Sequence, residues 1–309
     1  MAEASGGGEF AAIARIARRV GPAPPGEVWV GDDAAVVRIG DAVVVAAADA
    51  LVAGVHADLG LTSLADLGWK ALAVNISDVA AMGCVATRAL VTISGASGAE
   101  VDALYDGLSA AATAFRCPVV GGDLTGGDAL VVSVSVLGDG RVDPGPVLRS
   151  GARAGDAIWV SGALGAAAAG LRALRAGRGT TPEVAALVAA HARPAPRVGA
   201  GVAAREMGAT AMIDVSDGFA ADLGHVLDAS GVGCVLDALP VAPGASEHDA
   251  IAGGDDYELV WCAPPDSAVA EGFAARGLPP PVRVGRCVAD AGERRIGHVP
   301  LSPEGWTHF

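Results

Sequence analysis

The residues best suited to do chemistry are carboxylates set in glycine-punctuated junctions. Gly31-Asp32-Asp33 precedes an apolar run, Asp49 ends one, and Asn75-Ile76-Ser77-Asp78 follows another. Gly121-Gly122-Asp123, Asp214-Val215-Ser216-Asp217-Gly218 and Gly253-Gly254-Asp255-Asp256-Tyr257-Glu258 complete the set. The pattern predicts each carboxylate at the end of a strand or the start of a helix. Taken singly, such a cluster reads as turn and N-cap chemistry, for which Asp and Gly are ordinary choices. Several together read differently. Carboxylates gathered in one site repel unless hard cations neutralise them, and Mg2+ takes carboxylate oxygens while keeping waters and substrate phosphates as its other ligands. An acidic chain then binds a still more acidic ligand, the ion inverting the local charge.

Other chemistry is thinly represented. There is no G-x-x-x-x-G-K-[ST] and no H-R-D or D-F-G set, which excludes a P-loop enzyme and a protein-kinase fold. Ser77 and Ser216 lie in no nucleophile elbow, and the six histidines show no paired metal spacing. Among them His56, seven residues past Asp49, is the best functional candidate. Gly162-Ala163-Leu164-Gly165 ahead of an Ala-rich run could cradle a phosphate, though close helix packing explains those glycines as well.

The elements that must position these residues mix helices and strands over the whole length. The 309 residues, 52% of them apolar, are enough for a packed core and suggest two domains. Helices are expected at Glu9–Val20, from Ser63 to about Met82, and at 100–115, with strands at 28–30, 34–39, 42–48, 88–94 and 130–137. The stretch 138–155 is rich in Gly, Pro and Arg and reads as a linker. Beyond it, strands are expected at 157–161, 210–215, 233–236, 257–262 and 282–287, and helices at 165–176, 182–192, 196–207 and 218–229. Domains of 1–145 and 146–309 fit this pattern. The net charge of −14 argues against nucleic acid or an anionic membrane as partner. Five scattered cysteines and an N-terminus without basic or long apolar character point to a reducing, cytoplasmic setting. Lys70 is the one lysine among 21 basic residues, which codon bias alone explains.

The clusters also match a known family in their order. Gly31-Asp-Asp-Ala-Ala35, Asp49 to His56, Lys70 to Gly83, Gly121-Gly-Asp123, Arg149 to Asp156 and Arg193-Pro-Ala-Pro-Arg197 match, followed by Ile213 to Gly218, Asp222-Leu-Gly-His225, Gly253 to Leu259 and the terminal Gly305-Trp-Thr-His-Phe309. With Gly8-Glu9-Phe10 at the start, the sequence resembles the thiamine-monophosphate kinases, within the superfamily of aminoimidazole ribonucleotide and selenophosphate synthetases. The resemblance implies a two-domain α/β fold of the α+β type, its N-terminal domain dimerising through its sheet. It implies transfer of the ATP γ-phosphate to thiamine monophosphate by a homodimer. By position, the magnesium ligands would be Asp32, Asp33, Asp49, Asp78, Asp123, Asp214 and Asp217, with the Ala48 carbonyl. ATP contacts would fall on Tyr105, Gly122, Asp123, Arg149 and Ser216, and substrate contacts on His56, Asp255 and Trp306. Asp123, Arg149 and Asp217 would carry catalysis.

The chain departs from the family pattern at Ala47-Ala48, where Ser-Thr is usual, and at Asp255 and Trp306, where Glu and Tyr are typical. Alternatives are a sibling ATP-dependent synthetase or a nucleotide-binding regulatory protein without turnover. The first 30 residues lack the Cys and Lys that selenophosphate synthesis would need.

Overall fold

The computed structural model describes residues 8–140 and 143–306. The segment carrying the leader reading and the terminal Thr307-His308-Phe309 lie outside the described residues. In chain order the first half holds α1 (Glu9–Val20), β1 (Ala35–Ile39), β2 (Ala42–Val52), α2 (Leu64–Ala81), β3 (Val85–Ser94), α3 (Gly98–Phe115), β4 (Val119–Thr125) and β5 (Val131–Asp139). The second half holds β6 (Ala157–Val160), α4 (Ala166–Arg175), α5 (Ala185–Ala192), α6 (Val198–Glu206), β7 (Ala211–Asp214) and α7 (Phe219–Ser230). It continues with β8 (Gly233–Leu236), α8 (Glu247–Ala252), β9 (Leu259–Ala263), α9 (Val269–Ala275), β10 (Val282–Val288), β11 (Arg294–Ile296) and β12 (Val299–Pro300).

Two sheets result, and no strand is shared between them. The first has order β1-β2-β5-β3-β4, antiparallel except for the β3–β4 pair. The second has order β12-β11-β8-β10-β6-β9-β7, with only β11 and β8 parallel. Val, Ile and Ala alternate along β3 and β5, so Ala89, Val91, Ile93, Val132, Val134 and Val136 form one buried face of the first sheet. The opposite face lies open, with Leu90 46% and Leu137 43% exposed.

Helix α2 is the spine of the molecule. Ser63 caps it by accepting the Asp66 N–H at 3.1 Å. Its apolar residues run all round, and such a helix must be covered on every side. One flank packs on β2, β3 and β5 and on α3; the other meets α6 and β7 of the second half. Polar residues on its buried positions, Lys70, Asn75 and Ser77, therefore lie between the halves.

Several expectations need correction. Residues 28–30 make only isolated bridges, Val28 to Val36 and Val30 to Asp32, because Pro24-Pro25-Gly26 and Gly31 leave too short a run for a strand. Strand β4 was not expected: its glycines mask the strand signal, and backbone pairing to β3 sustains it. Helices α8 and α9 and strands β11 and β12 were also missed. Asp49, Asp78 and Asp123 do not sit at junctions; they lie within β2, α2 and β4.

Candidate active site

Between the halves opens a cleft of about 1540 Å³, lined by residues of both. Pockets for one small ligand run to about 1,000 Å³, so this one has room for a nucleotide and a second molecule. Carboxylates line it well in excess of the cations Lys70, Arg149 and Arg175.

Four polypeptide stretches bring the acids together. The loop before β1 carries Asp32 and Asp33. Asp32 accepts the backbone N–H groups of Asp33 at 3.1 Å and of Arg149 at 3.1 Å to its Oδ2. The Arg149 side chain donates to Asp33 Oδ1 through Nε at 3.1 Å and Nη2 at 2.6 Å. The other oxygen, Asp33 Oδ2, is buried without a hydrogen-bond partner. Asp49 in β2 is fixed by its N–H, which donates to Asn75 Oδ1 of α2 at 2.8 Å. One turn further along α2 comes Asp78. Asp214, at the end of β7, accepts the buried Ser77 hydroxyl at 2.5 Å, so α2 ties the two halves through a hydrogen bond inside the cleft.

The electrostatics confirm that these groups feel one another. Burial raises Asp78 well above the ordinary carboxylate range, and Asp214, Asp49 and Asp33 raise it further. Asp214 is pushed up to about 7 by burial and by Asp33, against the Ser77 hydrogen bond and Arg149. Burial and then Asp33 carry Asp32 to about 7. The acids face one another without converging: among the described residues no three Asp, Glu, His or Cys groups stand close enough to hold one ion.

The second half contributes two loops lying back to back. In 214–218, the Asp222 carboxylate accepts three backbone N–H groups, those of Ser216, Asp217 and Gly218, at 3.0–3.1 Å. Gly218 has φ +132, and a Cβ there would press on the Ala252 carbonyl at 2.9 Å, so glycine is required. The 253–258 loop pairs against it: the Asp255 N–H donates to the Ser216 carbonyl and the Tyr257 N–H to the Val215 carbonyl, both at 2.8 Å. Asp255 and Tyr257 adopt left-handed conformations, φ +69 and +50, that side chains rarely accept. At the rim, the Trp306 N–H donates to the Asp217 carbonyl at 3.0 Å and leaves a 55% exposed indole on the cleft. Opposite, His56 Nδ1 accepts the Val52 N–H at 2.9 Å, so the ring proton resides on Nε2.

Comparison with known proteins agrees with this architecture. Residues 31–139 match the AIR synthase related protein N-terminal domain, and residues 153–298 its C-terminal domain. A thiamine-monophosphate kinase of Mycobacterium tuberculosis is 40% identical over 275 residues, 82% of this chain and 80% of the relative. That of Salmonella typhimurium is 39% identical over 83% of each chain. The solved structure of AaThiL complexed with AMPPCP and TMP superposes with TM-score 0.86 at 30% identity, covering 98% of this chain and 97% of that one. The chain belongs to the thiamine-monophosphate kinase family.

Of the positions this family implies, the cleft holds Asp32, Asp33, Ala48, Asp49, His56, Asp78, Arg149, Asp214, Ser216, Asp217, Asp255 and Trp306. Tyr105, Gly122 and Asp123 do not line it. Tyr105 packs from α3 against the first core. Asp123 pairs in register with Thr92 on β4 and shares the open face of the first sheet. Gly122 sits beside it, where a Cβ would collide with the Val91 carbonyl at 1.7 Å. The glycines before α4 make no phosphate cradle: Asp256 accepts the Gly165 N–H and, at 3.2 Å, the Ala167 N–H, filling that helix start.

Sequence reasoning gave no role to Lys70, His191, Asp222 or Tyr257, all of which line the cleft. The available signal for Lys70 was a lone lysine within an otherwise apolar stretch of helix. For Asp222 it was a carboxylate one helical turn after a glycine-ended loop.

Proposed function

We propose that this chain transfers the γ-phosphoryl group of ATP directly to the phosphate of thiamine monophosphate, giving thiamine diphosphate and ADP. The observation that carries this reading is the cleft, which gathers Asp33, Asp49, Asp78 and Asp214 around Arg149 in a chain so similar to thiamine-monophosphate kinases. Phosphoryl transfer asks for positioning and for neutralisation of charge, and needs little covalent chemistry from the protein.

Mg2+ fits the residues present. A buried carboxylate oxygen without a partner, Asp33 Oδ2, and repelling acids at Asp78 and Asp214 are what a hard cation relieves. We assign Asp33, Asp49, Asp78 and Asp214, with Asp32 and Asp217 beside them, as ligands shared among several Mg2+ ions, whose coordination phosphate oxygens and water would complete. Bound there, Mg2+ would neutralise charge on the phosphates. Ala47-Ala48 offers no hydroxyl, and only the backbone carbonyl of Ala48 could add a ligand. Arg149, held by Asp32 and Asp33, points its guanidinium at the same region and serves the transferring phosphoryl group. His56 presents Nε2–H to the acceptor phosphate. Asp255 and Trp306 suit the cationic thiazolium, by charge and by cation–π attraction of about 0.5–2 kcal/mol. The acceptor phosphate is itself anionic, its second pKa about 6, so no general base is required.

We also propose a homodimer joined through the open face of the first sheet. Ala46, Ala48, Ala50, Ser133, Ser135, Leu137, Leu90 and Thr92 form a flat, nearly uncharged surface there. Such a face needs a cover. Asp123 lies on it, so in this reading its ATP and metal roles, and those of Gly122, depend on the second chain. Five free, buried cysteines suit a reducing, cytoplasmic setting, and no described helix is long and apolar enough to cross a membrane. The domain boundary is placed near residue 145, between the two sheets.

The test is incubation of the purified protein with ATP, Mg2+ and a panel of acceptors, products being identified by mass. Thiamine monophosphate should be converted, free thiamine poorly. Labelled γ-phosphate retained on denatured protein, or equal use of free thiamine, would overturn direct transfer.

A further inference from the structure

Lys70 is a buried cation inside the spine helix, its side chain 4% exposed. Burying an ammonium group is unfavourable unless it is paired, and its partner here comes from the other half of the molecule. Nζ donates to Asp255 Oδ2 at 2.6 Å. The second oxygen of the same carboxylate accepts the Tyr257 hydroxyl at 3.2 Å. Asp255 is thus gripped at both oxygens while its backbone is held at φ +69 by the Ser216 and Val215 hydrogen bonds. The third neighbour is His191, with Nδ1 3.7 Å from Asp255 Oδ2 and itself without a hydrogen-bond partner.

We infer that Lys70 is a positioning residue for substrate recognition: reaching across from α2, it fixes the orientation of the Asp255 carboxylate at the thiamine end of the cleft. The inference rests on the reading that Asp255 contacts the thiamine compound. Two observations support it. The strained loop alone does not set the Asp255 rotamer, because the carboxylate is 32% exposed and open to the cleft. Lys70 joins the first half to the second at this point, as Ser77 does at Asp214.

The experiment measures KM for thiamine monophosphate and for ATP in Asp255→Asn, Lys70→Met, Lys70→Arg and the double variant Lys70→Met/Asp255→Asn, with melting temperatures for all. Lys70→Met should raise KM for thiamine monophosphate by about tenfold, the equivalent of about 1.4 kcal/mol. KM for ATP should change by less than about twofold, and Lys70→Arg should restore most of the loss. The double variant, which carries no orphaned buried charge, should match Asp255→Asn alone. If Asp255→Asn raises KM for thiamine monophosphate and Lys70→Met does not, the positioning role is overturned while the substrate reading stands. If neither change moves that KM, the substrate reading itself fails and takes this inference with it. Should Lys70→Met not fold, the double variant decides: a KM clearly above that of Asp255→Asn means that Lys70 acts on something other than Asp255, and the inference is wrong.

Discussion

In the site proposed above, replacing Asp78 by Asn separates folding from function, because the carboxylate assigned to metal works against the metal-free fold. Asp78 is raised well above its ordinary value by burial and then by Asp214, Asp49 and Asp33. Its neighbour Asp214 is carried from 3.8 to about 7. A shift of that size amounts to about 4 kcal/mol against the charged form near neutral pH, most of it from burial. The mutual repulsion that Asp78→Asn relieves is a fraction of this, about 1–2 kcal/mol. The amide keeps the shape of the side chain, so the variant in EDTA should melt about 2–4 °C above the parent or level with it. The pH dependence has a definite sign. Asp32 and Asp214 have folded-state values near 7, above the unfolded 3.8, so their contribution to the stability of the metal-free parent is greatest below about pH 4 and is lost as pH rises through 7. In Asp78→Asn that loss should be smaller. Adding Mg2+ and ATP reverses the ranking: at 100 times Kd the parent gains about 2.7 kcal/mol, and the variant should gain far less. Turnover should fall by about 10²–10³-fold. Differential scanning fluorimetry at pH 5 and pH 8, with EDTA or with Mg2+ and ATP, reads both effects. A variant that melts well below the parent in EDTA yet responds normally to Mg2+ and ATP would refute the reasoning.

Three further outcomes are expected. Sedimentation at micromolar concentration should give a dimer, and Leu90→Asp with Leu137→Asp, placing charge on the open sheet face, should give a monomer; a dimer that survives both changes lies elsewhere. Trp306→Ala should raise KM for thiamine monophosphate by about 2–30-fold, the range that 0.5–2 kcal/mol of cation–π attraction covers, and leave KM for ATP nearly unchanged. Asp256→Ala removes the carboxylate that caps α4 and should destabilise the protein by about 1–2 kcal/mol in urea unfolding. Because burial raises Asp256 to about 6, its own contribution is largest below about pH 4 and declines as pH rises through 6.

Local chemistry is what one chain of letters displays, and most elements were legible on that ground. Ser63 before Asp66 announced α2, the apolar spacing of Ile13, Ile16 and Val20 announced α1, and Val-rich alternation announced β3 and β5. The carboxylate clusters were visible as a set because Gly and Asp together are poor material for helix or strand interiors. Where partner strands or neighbouring helices override local preference, the reading failed: β4 is glycine-rich and exists through its ladder to β3, while Asp49 sits inside a strand whose end was drawn too early, at residue 48. The pairings across the cleft were invisible for a related reason. Lys70 and Asp255 stand 185 residues apart, Ser77 and Asp214 137, and Asp33 and Arg149 116. No spacing rule links such residues; only the packing of the two halves against each other, with α2 between the sheets, brings them within 3 Å. The amino-acid sequence by itself determined which groups are available to hold metal and phosphate. The tertiary structure alone decided which of them share one cleft and which, like Asp123, are left facing a surface that a single chain does not cover.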